Sequence, residues 1–193
     1  MNAGYLTQLL FLAAGLLLAR PALAQYEAEE SRGPRPGLSL GGHAAYYRAN
    51  DAGGGDLMQG AQVRYHLTRR WALEAAAGFL REEAGGAKVD VVPLQFSALI
   101  YLMPHGYTVA PYILGGVGWY YTHIYLPEAG SEFRFGPHAG AGVEYFLNTA
   151  WSADVSARYL WAEDIRPADA AHPLGRTLSG KGYLLELAVN YSF

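Results

Sequence analysis

The segment Trp151–Trp161, WSADVSARYLW, alternates between apolar and polar residues for most of its length. Its odd positions carry Trp, Ala, Val, Ala, Tyr and Trp, whereas positions 152 to 158 carry Ser, Asp, Ser and Arg in between. A period of two places these two sets on opposite faces of a β-strand. Eleven residues also suit a tilted transmembrane strand, which needs about 9–11. The segment therefore predicts a strand with one apolar and one charged face.

The same period recurs along the rest of the chain after Gly37. It predicts eight strands in all, at about 38–47, 58–67, 71–80, 90–102, 109–121, 133–147, 151–161 and 182–193. No stretch after Gln25 is apolar all round for long enough to form a membrane helix. Residues 37–193 are therefore predicted to form an all-β domain, an eight-stranded antiparallel up-and-down transmembrane β-barrel.

The predicted connections alternate between short and long. The short ones lie at 68–70, 103–108 and 148–150, and the long ones at about 48–57, 81–89, 122–132 and 162–181. Outer-membrane barrels sort their connections in this way, with short periplasmic turns and long external loops. A soluble lipocalin-like barrel has no reason to do so, and the asymmetry favours a membrane barrel.

Charged residues occur on the polar face of several predicted strands. They are Arg64, Glu74, Arg134, Glu144, Asp154, Arg158 and Glu186. Aromatic residues decide which face meets lipid, because Trp71 and Trp151 follow short turns while Trp119 and Trp161 lie at the opposite strand ends. Aromatics at both ends of an apolar wall form the girdles of a lipid-facing surface. The charged residues are therefore predicted to form a polar network inside the barrel.

Hairpin counting pairs several of these charges. A turn at 68–70 places Arg64 opposite Glu74, and the turn at 148–150 places Glu144 opposite Asp154. Two adjacent acids need a cation or a proton. Arg158 or Arg134 could supply the positive charge from a neighbouring position. Side chains nearly fill an eight-stranded barrel, so a structural polar plug is the first interpretation. A narrow or gated conduit and a catalytic dyad remain the alternatives.

An internal similarity at an offset of 80 residues links two of the predicted hairpins. Residues 64–79, RYHLTRRWALEAAAGF, align with residues 144–159, EYFLNTAWSADVSARY. Each segment is a strand, a short turn and a strand. The similarity supports the architecture, although two hairpins that obey the same membrane patterning can also resemble each other without a common origin.

The first 24 residues are predicted to be a signal peptide. An eleven-residue apolar run from Leu9 to Ala19 precedes Pro21 and the small-x-small sequence Ala22-Leu23-Ala24, which predicts cleavage before Gln25. No Lys or Arg precedes the run, which departs from the usual pattern. Residues 25–36, QYEAEESRGPRP, are charged and aperiodic and are interpreted as a flexible periplasmic leader.

Composition excludes several classes of function. The chain has no Cys, which rules out disulfides and thiolate metal sites. Without Arg20 of the signal peptide, 13 basic and 17 acidic residues give a mild net charge of −4. No Lys/Arg stripe is present, so a nucleic-acid partner is not expected. None of the six His residues shows a close metal-ligand spacing, and neither a metal nor another cofactor is expected.

The C-terminal segment carries a family resemblance. In Tyr183–Phe193, YLLELAVNYSF, every odd position is apolar or aromatic and the chain ends on Phe. Together with the signal peptide, strand count and loop asymmetry, this resembles the OmpA/OmpX-like, porin-like superfamily of eight-stranded outer-membrane barrels in Gram-negative bacteria. The resemblance implies that Tyr191 and Phe193 belong to a terminal signal read by the barrel-assembly machinery. It also implies contact with outer-membrane lipid and lipopolysaccharide in the cell outer membrane.

The resemblance leaves three functions to compare. A non-enzymatic barrel with a structural or surface-interaction role and a plugged polar interior comes first, with an extracellular partner that the sequence does not identify. A narrow channel for small or apolar solutes comes second. A lipid-modifying enzyme comes third, because barrels of this kind that deacylate lipid A use a His-x-Ser with a nearby Glu, and this chain contains no His-x-Ser. No catalytic residue is therefore expected.

Overall fold

A computed structural model describes residues 33–50, 54–84, 87–103, 108–125, 131–163 and 180–193. Eight antiparallel strands form a closed barrel in which each strand pairs with its neighbours in sequence and the first pairs with the last. The strands are β1 Gly37–Ala49, β2 Asp56–His66, β3 Trp71–Ala84, β4 Ala87–Tyr101, β5 Val109–Tyr125, β6 Ser131–Phe146, β7 Trp151–Trp161 and β8 Lys181–Ser192. The predicted fold class is confirmed, whereas the signal peptide and most of the leader lie outside the described residues.

The alternation of residue types determines which side chains enter the barrel. In β7 the even positions 152–160 are all buried, whereas Trp151, Val155 and Trp161 on the odd positions are exposed. The same parity holds in β8, where Leu184, Glu186 and Asn190 are buried. Arg64 and Arg158 are the largest fully buried side chains, while all four Trp residues lie on the outer surface. This distribution is the reverse of a soluble protein and suits a wall surrounded by lipid.

Two short turns are built in the same way. The Thr68 hydroxyl accepts hydrogen bonds from the backbone N–H groups of Arg70 (3.1 Å) and Trp71 (3.0 Å). Eighty residues later the Asn148 side-chain oxygen accepts from Ala150 and Trp151, both at 2.8 Å. Side-chain acceptors of this type stabilise tight turns by replacing backbone partners. The two hairpins related by the offset of 80 therefore share their turn chemistry as well as their sequence pattern.

The loops predicted at 81–89 and 122–132 are too long, because the strands on both sides continue into them. The pairing of β3 with β4 continues to Ala84 opposite Ala87, and β5 pairs with β6 as far as His123 opposite Ser131. Charged residues continue the ladder in the first of these regions, because Arg81 lies opposite Asp90 and the two form an ion pair of 2.7 Å. As a result β3 to β6 have 14 to 17 residues, whereas β1, β2, β7 and β8 have 11 to 13.

Inward-facing glycines make room for large interior side chains. A Cβ on Gly60 would meet the His43 ring, and one on Gly142 would meet the phenol of Tyr112. The other inward glycines with a large side-chain neighbour include Gly41 beside Asn190, Gly116 beside His138 and Gly118 beside Tyr120. The high glycine content thus belongs to the packing of the lumen, where side chains of opposite strands compete for one narrow space.

Replacing Gly116 by Ala is expected to lower the free energy of unfolding by about 1–3 kcal/mol, the usual cost of overpacking. The new Cβ would meet the Phe96 carbonyl oxygen of the neighbouring strand first, and it would lie 2.8 Å from both His138 Nε2 and Ser97 Cα. Gly115 is the matched control, because a Cβ there meets only His138 O, at 3.9 Å. Urea titration of the refolded barrel, followed by Trp fluorescence, measures both variants. Equal losses at the two positions would contradict this account of the lumen.

Candidate functional site in the barrel interior

Six of the seven predicted interior charges meet inside the barrel. They are Arg64, Glu74, Glu144, Asp154, Arg158 and Glu186, and each is at most 3% exposed. The register places Arg64 opposite Glu74 and Glu144 opposite Asp154, as the hairpin count predicted. The six residues come from β2, β3, β6, β7 and β8, so they gather from most of the circumference. We refer to them as the interior network.

Arg64 lies at the centre of the interior network. Its Nε and Nη2 both donate to Glu74 Oε2, at 3.0 and 2.6 Å. Its Nη1 donates across the lumen to Glu144 Oε2 at 2.9 Å and to Asp154 Oδ2 at 3.2 Å. One guanidinium therefore holds three carboxylates from three strands, a use of its several N–H donors that lysine could not reproduce.

Arg158 forms the second centre of the network. Its Nη2 donates to Glu186 Oε1 at 2.7 Å and to Glu74 Oε1 at 2.9 Å, and its Nη1 donates to Gln95 Oε1 at 3.2 Å. Glu74 thus binds Arg64 through one carboxylate oxygen and Arg158 through the other. This shared carboxylate joins both cations and all four acids into one connected structure.

The cation beside the paired acids differs from the one predicted. Arg64 contacts Glu144 and Asp154, whereas Arg158 contacts Glu74 and Glu186. Arg134 lies nearer the end of the long loops, where its Nη2 donates to Thr122 Oγ1 at 3.0 Å. The prediction that Arg158 or Arg134 balances the acid pair is therefore wrong. The prediction fails because Arg64 reaches across the barrel, and counting residues along neighbouring strands does not reveal such a contact.

Several neutral side chains that bind the interior network were not predicted as site residues. The Tyr101 hydroxyl donates to Glu144, and the Tyr112 hydroxyl donates to Asp154 Oδ1 at 2.8 Å. Ser152 Oγ donates to Glu144 Oε1 at 2.6 Å. These hydroxyls supply the hydrogen bonds that buried carboxylates require in addition to an ion pair. Their inward parity was available as a signal in the sequence, but the carboxylates that the two tyrosines reach beyond the neighbouring strand were not.

Apolar layers adjoin the interior network toward both ends of the barrel. On the long-loop side, the buried cluster consists of Ala45, Met58, Leu80, Tyr120, Leu160, Ala162 and Leu184. On the short-turn side it consists of Ala72, Leu99, Tyr101, Ala110, Tyr112, Leu114 and Phe146. The phenols of Tyr101 and Tyr112 belong to both the second layer and the network. The arrangement resembles a packed core more than the lining of an aqueous pore.

The outward-facing residues occupy the predicted positions. Trp71, Trp119, Trp151 and Trp161 are 43–45% exposed on the outer surface, and Trp71 and Trp151 begin β3 and β7 directly after short turns. Tyr191 packs edge-on against Trp151 and Phe193, with ring centroids 5.0 and 5.1 Å apart. The Phe193 ring is the most exposed of these aromatics, at 75%.

Two buried serines have features of a nucleophile, one through a histidine neighbour and one through a sequence pattern. Ser97 Oγ lies 2.9 Å from His138 Nε2, but both residues are buried in the lumen and not on the lipid-facing wall. Residues 37–41, GLSLG, match the G-x-S-x-G pattern of serine hydrolases. They lie in strand β1 rather than at a strand-to-helix turn, and Ser39 Oγ donates to Arg64 O at 3.3 Å. Neither serine therefore has the access that a nucleophile needs.

The described part of the chain has neither a cluster of metal ligands nor a membrane-spanning helix. No group of three or more His, Asp or Glu side chains could hold a metal ion among these residues. The ranges that the structure describes also contain no helix that is long and apolar enough to cross a membrane.

Comparison with known proteins provides one family match. A family model described as the outer membrane protein β-barrel domain matches residues 10–193. No curated protein sequence matches the chain significantly.

Solved structures share the fold at low sequence identity. Neisserial surface protein A is 14% identical, with a TM-score of 0.63, over 81% of this chain and 97% of that chain. The N-terminal β-barrel domain of OprF from Pseudomonas aeruginosa is 17% identical, with a TM-score of 0.57, over 80% and 97%. Outer membrane protein W of E. coli is 16% identical, with a TM-score of 0.56, over 82% and 99%. At these identities the similarity concerns the fold alone.

Proposed function

The chain belongs to the outer membrane protein β-barrel domain family, and we propose that it is a sealed, non-enzymatic barrel of the outer membrane that acts through its surface. Its short turns face the periplasm and its long loops face outward, as in barrels with this loop asymmetry. Cleavage before Gln25 and assembly by the barrel-assembly machinery belong to the same proposal. The partners are outer-membrane lipid, including lipopolysaccharide, and an extracellular ligand that remains to be identified.

The interior network is the observation that supports a sealed barrel. Its two guanidinium groups are fully buried and engage four carboxylates across the lumen. Opening a water-filled path would require these ion pairs to separate, together with the apolar layers that adjoin them. Leaving one charge of a buried pair without its partner costs about 3–5 kcal/mol, and this cost makes spontaneous opening rare.

The unequal strand lengths support a surface role. Strands β3 to β6 continue past the ends of their neighbours on the long-loop side, since β5 alone has 17 residues against 11 in β7. About 9–11 residues of a tilted strand suffice to cross the membrane. The remaining residues of β3 to β6 would project as a sheet on the outside, where an extracellular partner could contact it.

Single-channel recording in planar bilayers tests the sealed barrel. We expect no conductance from the wild-type protein and conductance from the double variant Arg158→Ser/Glu186→Ser. This variant removes the Arg158–Glu186 ion pair and empties part of the lumen without changing the formal charge, while Glu74 loses Arg158 but keeps Arg64 as its partner. An unboiled SDS sample that migrates differently from a boiled one shows that each variant is folded. Regular openings of the wild-type protein would overturn the proposal and favour a narrow channel.

A further inference from the structure

The interior network contains more acids than bases. Its two guanidinium groups face four carboxyl groups, and all six side chains are at most 3% exposed. Arg134, the other inward arginine, binds Thr122 nearer the long loops. If every acid were ionised, the centre of the barrel would hold two negative charges in excess. Burying a charge without a partner is costly, and a buried acid that lacks a balancing cation becomes neutral by binding a proton.

The hydrogen bonds of the four acids show which of them is least stabilised as an anion. Glu74 accepts three hydrogen bonds from guanidinium groups. Glu144 and Asp154 each accept from a guanidinium group and from at least one buried hydroxyl. Glu186 accepts one hydrogen bond, from Arg158 Nη2 to its Oε1 at 2.7 Å, and its Oε2 has no donor within the described part of the chain. Because each donated hydrogen bond favours the ionised form, Glu186 loses least by becoming neutral.

The strands beside β8 offer Glu186 an acceptor for a proton. Its register neighbours are Ala45 on β1 and Ser156 on β7. His43, two residues from Ala45 on the same inward face, is its diagonal neighbour, and such neighbours have Cβ atoms about 7–8 Å apart. The His43 Nδ1 is buried and has no partner among the described residues. The charged and titratable side chains around Glu186 are Arg158 and Asp154 of β7, Glu74 of β3, Arg64 of β2 and His43 of β1.

We propose that Glu186 is a proton-binding site of the folded barrel. The carboxylate is ionised in the unfolded chain, and it takes up one proton from water when the barrel closes around it. The proton binds to Oε2, and Oε1 still accepts the hydrogen bond from Arg158. This uptake halves the excess of negative charge in the interior network. The charge that remains lies with Glu144 and Asp154, which contact Arg64 and three hydroxyl groups.

The proton at Glu186 links the stability of the barrel to pH. An exposed glutamate, as in the unfolded chain, releases its proton above about pH 4.3. At higher pH, unfolding therefore releases the proton that the folded barrel holds, and raising the pH favours the unfolded chain. Proton uptake at Glu186 rests on the sealed interior proposed above, because water in an open lumen would solvate the ionised carboxylate and remove the cost of burying it.

Isotope-edited infrared spectroscopy of the refolded barrel detects the proton directly. Labelling glutamate with carbon-13 at the side-chain carboxyl shifts the bands of Glu and leaves those of Asp in place. At neutral pH we expect a carboxylic-acid C=O band that shifts on labelling in the wild type and is lost in Glu186→Gln, whose amide has the shape of the neutral acid. Glu163→Gln is the matched control, because Glu163 is exposed just after β7, and it should keep the band. Absence of the band from the wild type, or its persistence in Glu186→Gln, would overturn the proposal.

Urea unfolding at several pH values measures the same proton thermodynamically. From about pH 5 to neutral pH, the unfolding constant of the wild type relative to that of Glu186→Gln should rise by up to about tenfold per pH unit, since unfolding releases one proton. Its ratio to that of Glu163→Gln should stay constant. A ratio to Glu186→Gln that does not change with pH would contradict the proton site. Loss of both signals refutes the site, and single-channel recording then shows whether the sealed interior is refuted with it.

Discussion

Replacement of Arg64 by Ala is expected to lower the free energy of unfolding by about 3–5 kcal/mol, the cost of leaving buried charges without a partner. The side chain has no exposed surface and holds Glu74, Glu144 and Asp154. Without it, Glu144 and Asp154 would face each other across β6 and β7 with hydroxyl donors around them and the His66 ring 4.0 Å from Glu144. Hydroxyls satisfy hydrogen bonds but leave the repulsion between the carboxylates in place.

Arg81→Ala provides the comparison for a partly exposed ion pair. Arg81 binds Asp90 at 2.7 Å, and its side chain is 60% exposed on the outer surface whereas that of Asp90 is 12% exposed. We expect a loss above the roughly 0–1 kcal/mol of a fully exposed pair and below the about 3–5 kcal/mol of a fully buried one. Urea unfolding of both variants in the same lipid vesicles therefore shows how much of the loss in the free energy of unfolding comes from burial and how much from the ion pair itself. A loss at Arg64 no larger than that at Arg81 would mean that water reaches the interior network, as in an open channel.

A double-mutant cycle with Glu74→Ala tests the contact itself. We expect each single change to cost more than about 2 kcal/mol, within the range of buried pairs, and the double variant to cost less than the sum. The coupling energy between Arg64 and Glu74 will not account for the whole loss in either single variant, because Glu74 also binds Arg158 and Arg64 also binds Glu144. Additive losses would show that Arg64 and Glu74 do not interact. Small losses with strong coupling would favour a hydrated lumen.

The fold followed from the sequence because a barrel strand encodes its two faces locally. The bounds predicted for β7 coincide with those observed, and the parity of β8 gave the inward positions of Glu186 and Asn190. Adjacent pairs such as Arg64 and Glu74 followed from turn position, since a hairpin turn fixes the register on both sides. Each of these inferences uses residues that are close together in the chain.

Contacts across the lumen could not be predicted from the sequence, because they depend on the barrel diameter and on which side chains extend far enough to meet. Arg64 and Glu144 occupy equivalent positions in the two similar hairpins, 80 residues apart, and they meet in the lumen. The alignment also equates Glu74 with Asp154, and both residues bind Arg64. The similarity of the two hairpins thus identified four members of the interior network without revealing that they touch. The same limit hid Tyr101 and Tyr112, whose hydroxyls reach carboxylates 43 and 42 residues away.

Changing Phe193 to Ala is expected to lower the amount of protein in the outer membrane more than tenfold while the stability of the refolded barrel changes little. The structure explains the second half of this expectation. The Phe193 ring is 75% exposed and contacts Tyr191 at 5.1 Å between centroids, so it contributes little packing. Its backbone N–H donates to Leu38 O at 3.0 Å, and the substitution retains that bond. A single exposed side chain typically changes stability by about 0.5 kcal/mol or less.

Phe133 is a control of nearly equal exposure, because its ring is 74% exposed on β6 and packs against Tyr121 at 4.8 Å. Phe133→Ala removes the same side chain at similar exposure from the long-loop end of the barrel and leaves the C-terminal strand unchanged. Immunoblotting of outer-membrane fractions and unboiled SDS mobility of protein refolded in detergent measure the two quantities separately. If the terminal strand is read during assembly, only Phe193→Ala should deplete the outer membrane. Equal depletion by both variants would assign the effect to the loss of any exposed aromatic side chain and would remove the special role of the terminus.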